Sequence, residues 1–388
     1  MFNIIIAGIA SMLTDISTEM VYPLLPLYLA SLGTQPAILG LIEGIAESSA
    51  SLVKLFSGRA SDRLRRRKLL VLTGYSSSTL GKLLLYLSGN WILVFLGRLI
   101  DRIGKGVRVA PRDAIIADAS IEGTRGRAFG LHRAFDTVGA TLGIAIAIFL
   151  ISRLPGNPAF HNYHQIFLLS VIPALLGVFV LFFLKEQHTN KSVSLPALRV
   201  KNLPLPLRRF LFIIGIFAIG NSSNQFLLLR MNRLGWSPLN ILILYFLYNL
   251  SYATFAFPAG KIADRIGKRK ILSVGYGIYS AVYFGFALLD KDTGIGLPYI
   301  LFIAYGLFSA LTEGLEKALV SDIAPENQRA SMLGLHAAIT GLGLLGASVL
   351  AGILWNLFGP RAPFILSSVL GVCAVIGLQF AISTTQIR

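Results

Sequence analysis

Charge and cysteine are what this 388-residue chain has least of. Only 14% of its residues are charged against 54% hydrophobic, too little polar surface to cover a soluble protein of that length. The solvent this composition fits is a bilayer. The one cysteine, Cys373, excludes an intramolecular disulfide and a cysteine-based metal site. Gly104-Lys105-Gly106 lacks the spacing of a phosphate loop and follows no strand, so nothing in the chain points to ATP. His132 and His336 have no serine or cysteine beside them in a nucleophile motif, which sets aside a membrane hydrolase. The expectation is a chain that is not an enzyme and needs no cofactor and no bound metal.

Acidic residues are scarce too, 18 against 35 basic ones, for a net charge of +17. Nucleic acid is not the partner this excess implies, because the basic runs sit on helix ends without interleaved aromatic platforms. They fall instead in alternate loops, at Arg63 to Lys68, Arg125 and Arg127, Lys185 to Arg209, and Lys261 to Lys270. The opposite loops hold little beyond Arg153, Arg233, Lys291 and Arg361. By the positive-inside rule both termini belong in the cytoplasm, in a chain that crosses the cytoplasmic membrane many times.

What the chain has in abundance is apolar windows of membrane-spanning length. They run over 3–30, 37–57, 69–88, 92–116, 126–151 and 163–184, then 209–231, 238–259, 271–289, 298–320, 330–356 and 361–382. The second six repeat the first. GRASDRLRRRK, Gly58 to Lys68, returns as GKIADRIGKRK, Gly260 to Lys270, with Asp62 and Asp264 at an offset of 202 residues. Leu32-Gly33 returns as Leu234-Gly235 at that offset, and Asp118 to His132 returns as Asp322 to His336 at 204. An all-α membrane protein follows, with bundles over 1–184 and 209–388 and a proline-bearing linker over 185–208.

With these motifs the chain resembles the major facilitator superfamily over nearly its whole length. That family's loop pattern is Gly, three residues, Asp-Arg, one residue, Gly, then basic residues. The second copy has Gly260, Asp264, Arg265, Gly267, Lys268 and Arg269; the first has Gly58, Asp62, Arg63, Arg66 and Arg67, with Arg65 in the turn-glycine place. The resemblance implies twelve transmembrane helices in two pseudo-symmetric six-helix bundles, with helices 1, 4, 7 and 10 lining a central cavity and 3, 6, 9 and 12 facing lipid. An Asp at a helix end can face another helix's positive N-terminus, while neighbouring arginines bind carboxylates and carbonyls. Asp62, Arg63, Arg66, Asp264, Arg265 and Arg269, with Asp113 and Asp118, are therefore the candidate cytoplasmic gate.

Ionisable residues at membrane depth are costly, so their placement carries function. The first span has Asp15 and Glu19 at i,i+4, with Pro23 and Pro26 placed to kink the helix. The second repeats the device with Glu43 and Glu47; the fourth carries Arg98, Asp101, Arg102, Lys105, Arg108 and Arg112 along one face. Asp15 and Glu19 are natural partners for Arg102 and Arg98, although these acids can equally serve as structural bridges. Where the halves align, Asp15 meets Phe217, Glu19 meets Asn221, Arg112 meets Glu316 and His132 meets His336. His132 and His336 read either as packing residues kept by duplication or as a protonatable latch between the halves.

The function read from these residues is secondary active transport of a small organic solute by alternating access, coupled to protons, by a monomer in the lipid bilayer. Proton-coupling candidates are Asp15, Glu19, Glu43, Glu47, Asp136 and Glu313. Substrate-binding candidates are Arg98, Arg102, Lys105, Asn221, Asn224, Tyr248, Glu313 and Glu316. Export is favoured, although the glycine-proline pattern of drug exporters is incomplete, with Gly139 and Gly143 present and Ile144 in the proline place. Import of an organic anion or phosphorylated metabolite, and export of a divalent metal, stay open as alternatives.

Overall fold

A computed structural model describes residues 1–64, 66–120, 125–153, 160–186, 203–324 and 329–381. Every regular element among them is a helix. The chain opens with α1 (Phe2–Val21), a 3₁₀ turn (Tyr22–Leu24) and α2 (Leu25–Ser31). This is the interruption that Pro23 and Pro26 predict, since neither can donate an amide hydrogen bond to the preceding turn. Then come α3 (Pro36–Leu64), α4 (Arg67–Tyr86), α5 (Trp91–Ala119), α6 (Arg125–Arg153) and α7 (Phe160–Leu181).

The second half corrects one expectation. The seventh span does not run unbroken over 209–231: α8 (Leu205–Gly220) stops, Asn221 to Asn224 leave the helix, and α9 (Gln225–Arg233) resumes. No proline forces this break. Gly220 and four short polar residues do, because Asn and Ser side chains compete for backbone hydrogen bonds. The remaining helices are α10 (Pro238–Ile266), α11 (Lys268–Leu288), α12 (Gly296–Ile323), α13 (Arg329–Phe358) and α14 (Ala362–Ala381).

Ten of the described helical stretches are long and apolar enough to cross a membrane. Helices α4 and α5 fall outside that set, α5 because of its many charges and α4 because of Ser76 to Ser78 and Lys82. Leu168, Ile172, Leu175 and Phe179 of α7, and Val369, Val372, Ile376 and Phe380 of α14, stay exposed. Faces of that kind belong against lipid. This is a multi-pass membrane protein.

The helices group into two compact units. One comprises Met1–Thr34, Ile45–Val193 and Ser237–Leu242, the other Gln35–Gly44, Ser194–Trp236 and Ile243–Arg388. Within the first, α4 packs on α5 and α7, and α1 on α6 and α7. The second repeats the scheme, with α11 on α12 and α14, and α8 on α13 and α14. Gly33 and Gly235, the paired echo in the sequence, both turn the chain with positive φ, 70° and 90°. Gly267 does the same at 107°, while Arg65, which holds its place in the first copy, lies outside the described residues.

Helices α4 and α5 cross so closely that glycine is required on both. A methyl at Gly81 would stand 2.5 Å from the Gly97 carbonyl oxygen, and one at Gly104 2.5 Å from that of Gly74. Gly106 lies against Ala50 and Val53 of α3. These contacts bring the α5 charges within reach of their partners. Gly81→Ala should cost about 1–3 kcal/mol, because backbone must yield, whereas Gly89→Ala, with open space around it, should cost nothing measurable. Melting curves of the detergent-solubilised variants check this; equal melting would mean that the crossing tolerates separation.

Candidate functional site

Each unit carries its own polar interior. In the first, α5 is the spine, its start capped by Asn90, whose side chain accepts from the Leu93 amide at 3.1 Å. Arg98, Asp101, Arg102 and Arg108 are buried along one face, with Lys82 of α4 beside them. Asp101 is their hub. Its carboxylate lies 2.7 Å from Arg102, 3.2 Å from Lys82 and 3.6 Å from Arg98. Glu47 of α3 supplies the second acid, 3.3 Å from Arg98 and 3.2 Å from Arg102. It thus takes the bridging role the sequence allowed it. The Arg98 guanidinium also lies over the Tyr22 ring at 5.1 Å, and that of Arg108 over Tyr75 at 4.3 Å while donating to Ser78 at 2.6 Å.

Lys105 differs from its neighbours on α5 in being exposed. Among the described residues it has no carboxylate within ion-pair distance, and its electrostatic neighbours are Arg102, Glu47, Asp15 and Arg108. Asp15, half-buried on α1, feels Asp136, Lys105, Arg108 and Arg112. Glu19 is half-buried one turn further along α1. Arg112 binds Ser11 and Asp113, each at 2.9 Å, and Asp136 lies 3.4 Å from His132 on the same helix. His132 Nε2 and Asp136 Oδ1 are buried without a hydrogen-bond partner.

In the second unit the polar groups gather at the break between α8 and α9. Asn224 accepts from Tyr305 at 2.6 Å and donates to Tyr248 at 3.4 Å, while the Tyr248 and Tyr305 rings stack with centroids 5.1 Å apart. Asn221, half-buried, caps the end of α8. Ser223 donates to the buried Glu43 at 3.4 Å, and Tyr252 to the exposed Glu313 at 2.8 Å. Glu316 is buried between Tyr276 and His336. Each histidine thus meets its acid inside its own unit. Tyr276 and Tyr305 were not among the sequence candidates, since tyrosine on an apolar span reads as packing.

The gate residues divide. Asp264, Arg265 and Arg66 are exposed, and Arg269 donates to the Gln379 carbonyl at 3.3 Å. The side chains of Asp62 and Arg63 lie outside the described residues. Asp118 pairs with Arg67, tying the start of α4 to the end of α5. Lys268 and Asp322 tie α11 to α12 in the same way at 2.5 Å. The sequence repeat contained this second bridge, at the 204-residue offset of Asp118 and Asp322. Among the described residues no three His, Cys, Asp or Glu side chains gather as a metal would require.

The family model described as Major Facilitator Superfamily matches residues 7–229 and again residues 210–385. An "Uncharacterized MFS-type transporter" of Methanocaldococcus jannaschii is 37% identical over 386 residues, covering 97% of this chain and 94% of its own. "Multidrug resistance protein 2" of Bacillus subtilis is 22% identical, covering 92% and 89%. Among solved structures, the nucleoside transporter NupG superposes with a TM-score of 0.81 at 14% identity, over 98% of this chain and 99% of that one. A D-xylose-proton symporter gives 0.78 at 18%, over 100% and 99%. At such identities the structures establish the fold.

The hub of the first unit yields a direct test. Asp101→Asn removes the carboxylate that the buried Lys82, Arg98 and Arg102 share, and should destabilise the protein by about 3–5 kcal/mol. Adding Lys82→Met, which removes one stranded cation, should recover part of the loss. Thermal melts of both variants decide it, and an Asp101→Asn protein as stable as the parent would show that Asp101 does not hold the cluster together.

Proposed function

The chain belongs to the Major Facilitator Superfamily, and on that premise we propose that it is a secondary active transporter, driving a small organic solute across the cytoplasmic membrane against protons. Residues 1–184 and 209–388 act as the two bundles of an alternating-access cycle, joined by the linker 185–208, in a monomer with both termini in the cytoplasm. The observation that carries this is the contrast between the two interiors: a charged one built on α5, and a tyrosine and amide one at the α8–α9 break. Asp15 and Glu19 handle the proton, because they share a helix face and Asp15 lies in the field of Lys105, Arg108 and Arg112. Asn221, Asn224 and Tyr248 recognise the organic group. The matched bridges Arg67–Asp118 and Lys268–Asp322 brace the helix ends beside the gate motif.

Export is the direction we favour, in keeping with the multidrug resistance relative. A second reading, import of an organic anion, draws on Lys105, an exposed cation with no carboxylate within ion-pair distance among the described residues. Proteoliposomes under an imposed pH gradient, screened with candidate solutes, separate the two by the sign of the response. A protein that moves no solute in such a screen, and ignores the gradient, would not be the transporter proposed.

Two outcomes follow from this reading. Asp15→Asn or Glu19→Gln should abolish uphill flux while keeping downhill exchange, and Arg102→Ala should lose both, since it takes a close cation from both Asp101 and Glu47. If the double neutral variant still concentrates solute with unchanged pH dependence, the acid pair is structural. For topology, cysteines placed at Arg66 and Arg269 in a Cys373→Ser background should resist membrane-impermeant labelling from outside sealed cells. Efficient external labelling of either would reverse the orientation.

A further inference from the structure

We propose that Glu316, His336 and Tyr276 form a proton-binding site in the interior of the second unit, separate from the acid pair on α1. Glu316 Oε2 lies 3.1 Å from His336 Nε2, and Tyr276 donates its hydroxyl to Glu316 Oε1 at 2.7 Å. The three come from α12, α13 and α11, and all are buried, at 9%, 3% and 0% exposure. Both carboxylate oxygens are thereby committed. With the imidazole neutral, Nε2–H donates to the carboxylate, and Nδ1 carries no hydrogen bond among the described residues. A proton added at Nδ1 gives an imidazolium whose charge the carboxylate offsets, so the pair can take up or release one proton without leaving a lone buried charge.

Among the described residues no further ion pair is made by Glu316 or His336. Helix α13 has no further ionisable residue among its described side chains, and α8 has none after Arg209. On α12 the flanking Glu313 and Lys317 are exposed, Glu313 being bonded to Tyr252 of α10. The basic residues of α11 end at Lys270, more than one turn before Tyr276, and α14 offers only the thiol of Cys373.

The duplicated scaffold gives an independent comparison. At the 204-residue offset Glu316 stands where the first unit has Arg112, and His336 where it has His132. Arg112 is an electrostatic neighbour of both His132 and Tyr75, so a Tyr and a His accompany this place in both units. One copy holds a permanent cation there, and the other holds an acid facing an imidazole. A structural route to the solute end of the unit is also present. The Tyr276 ring stacks on Phe217 at 4.0 Å, one turn before α8 breaks, and Tyr279 on the same face of α11 donates to the Gly220 carbonyl at 2.8 Å. Breaking the Tyr276–Glu316 bond would therefore disturb the helix end that presents Asn221 and Asn224.

The proposal depends on the proton-coupled reading for its use and not for its chemistry, so it is tested without transport. In the solubilised full chain with isotope-labelled histidine, His336→Asn identifies the signal to follow. That signal should change between the neutral and the charged form as the pH is varied. In Glu316→Gln its midpoint should move by about one pH unit or more, a tenfold change in proton affinity, and in Tyr276→Phe, which keeps the stacked ring, by a smaller amount. The signal of His164, bonded to Tyr28 and to the Tyr86 carbonyl in the first unit, should stay unchanged and report an intact fold. An imidazole fixed in one state throughout, or variants that titrate like the parent, would overturn the site. If instead His336 titrates as expected while parental transport ignores a pH gradient, the site stands and the proton-coupled reading fails.

Discussion

A buried charge surrounded by lipid has to find its counter-charge inside the protein, and that requirement shapes the first unit. Asp101 meets it for Lys82, Arg98 and Arg102 at once. Three cations converge on one carboxylate only if α4 and α5 approach at glycine distance, which Gly74, Gly81, Gly97 and Gly104 allow. Glu47 can then reach the two guanidiniums from α3 because Gly106 lets that helix in. The close crossing is thus a condition for the charges to exist at that depth, and the charges make any loosening of the crossing costly.

The second unit keeps the helix pairings and dispenses with that requirement. At the position of Asp101 stands Tyr305, which binds Asn224 and stacks on Tyr248, so a neutral ring takes the place of the ionic hub. Around it Tyr279, Tyr283 and Phe308 pack edge and face, with Tyr279 and Tyr283 centroids 4.1 Å apart. Aromatic contacts of this kind hold helices together without any desolvated charge. The same architecture has therefore been stabilised in two chemically different ways, and the second unit keeps a buried acid beside an imidazole, at Glu316 and His336.

Much of this was legible in the sequence because it is periodic or repeated. Apolar windows placed the spans, the echo at 202 residues paired the units, and Pro23 marked the break after α1. The break after Gly220 was hidden because Asn221 to Asn224 sit between two strongly apolar stretches, and a span-length average smooths over four polar residues. Partner choice was hidden for another reason. Spacing shows which face of α5 carries the charges, but whether Arg98 meets α1 or α3 depends on how closely helices pack, and only the glycine contacts reveal that. Lys82 is a useful intermediate case. It is the one charged residue in the 69–88 window, and such a residue must have a partner, although the sequence alone does not say that it is Asp101.

The two helix breaks show how differently local chemistry reaches the same end. In the first unit proline removes the amides, and a 3₁₀ turn keeps the chain almost continuous through Tyr22 to Leu24. In the second, the backbone leaves the helix, and its free groups are taken up one at a time: the Gly220 carbonyl by Tyr279, the Ser223 amide by Ser348, and the Gln225 amide by Ser223. A proline kink is fixed by covalent structure, whereas a break held by three side-chain hydrogen bonds depends on its neighbours staying in place. Two of those neighbours, α11 and α13, also carry Tyr276 and His336. In this chain the break that can respond to a change in its surroundings is therefore the one next to the titratable pair, and the break that cannot lies in the unit with the fixed cation.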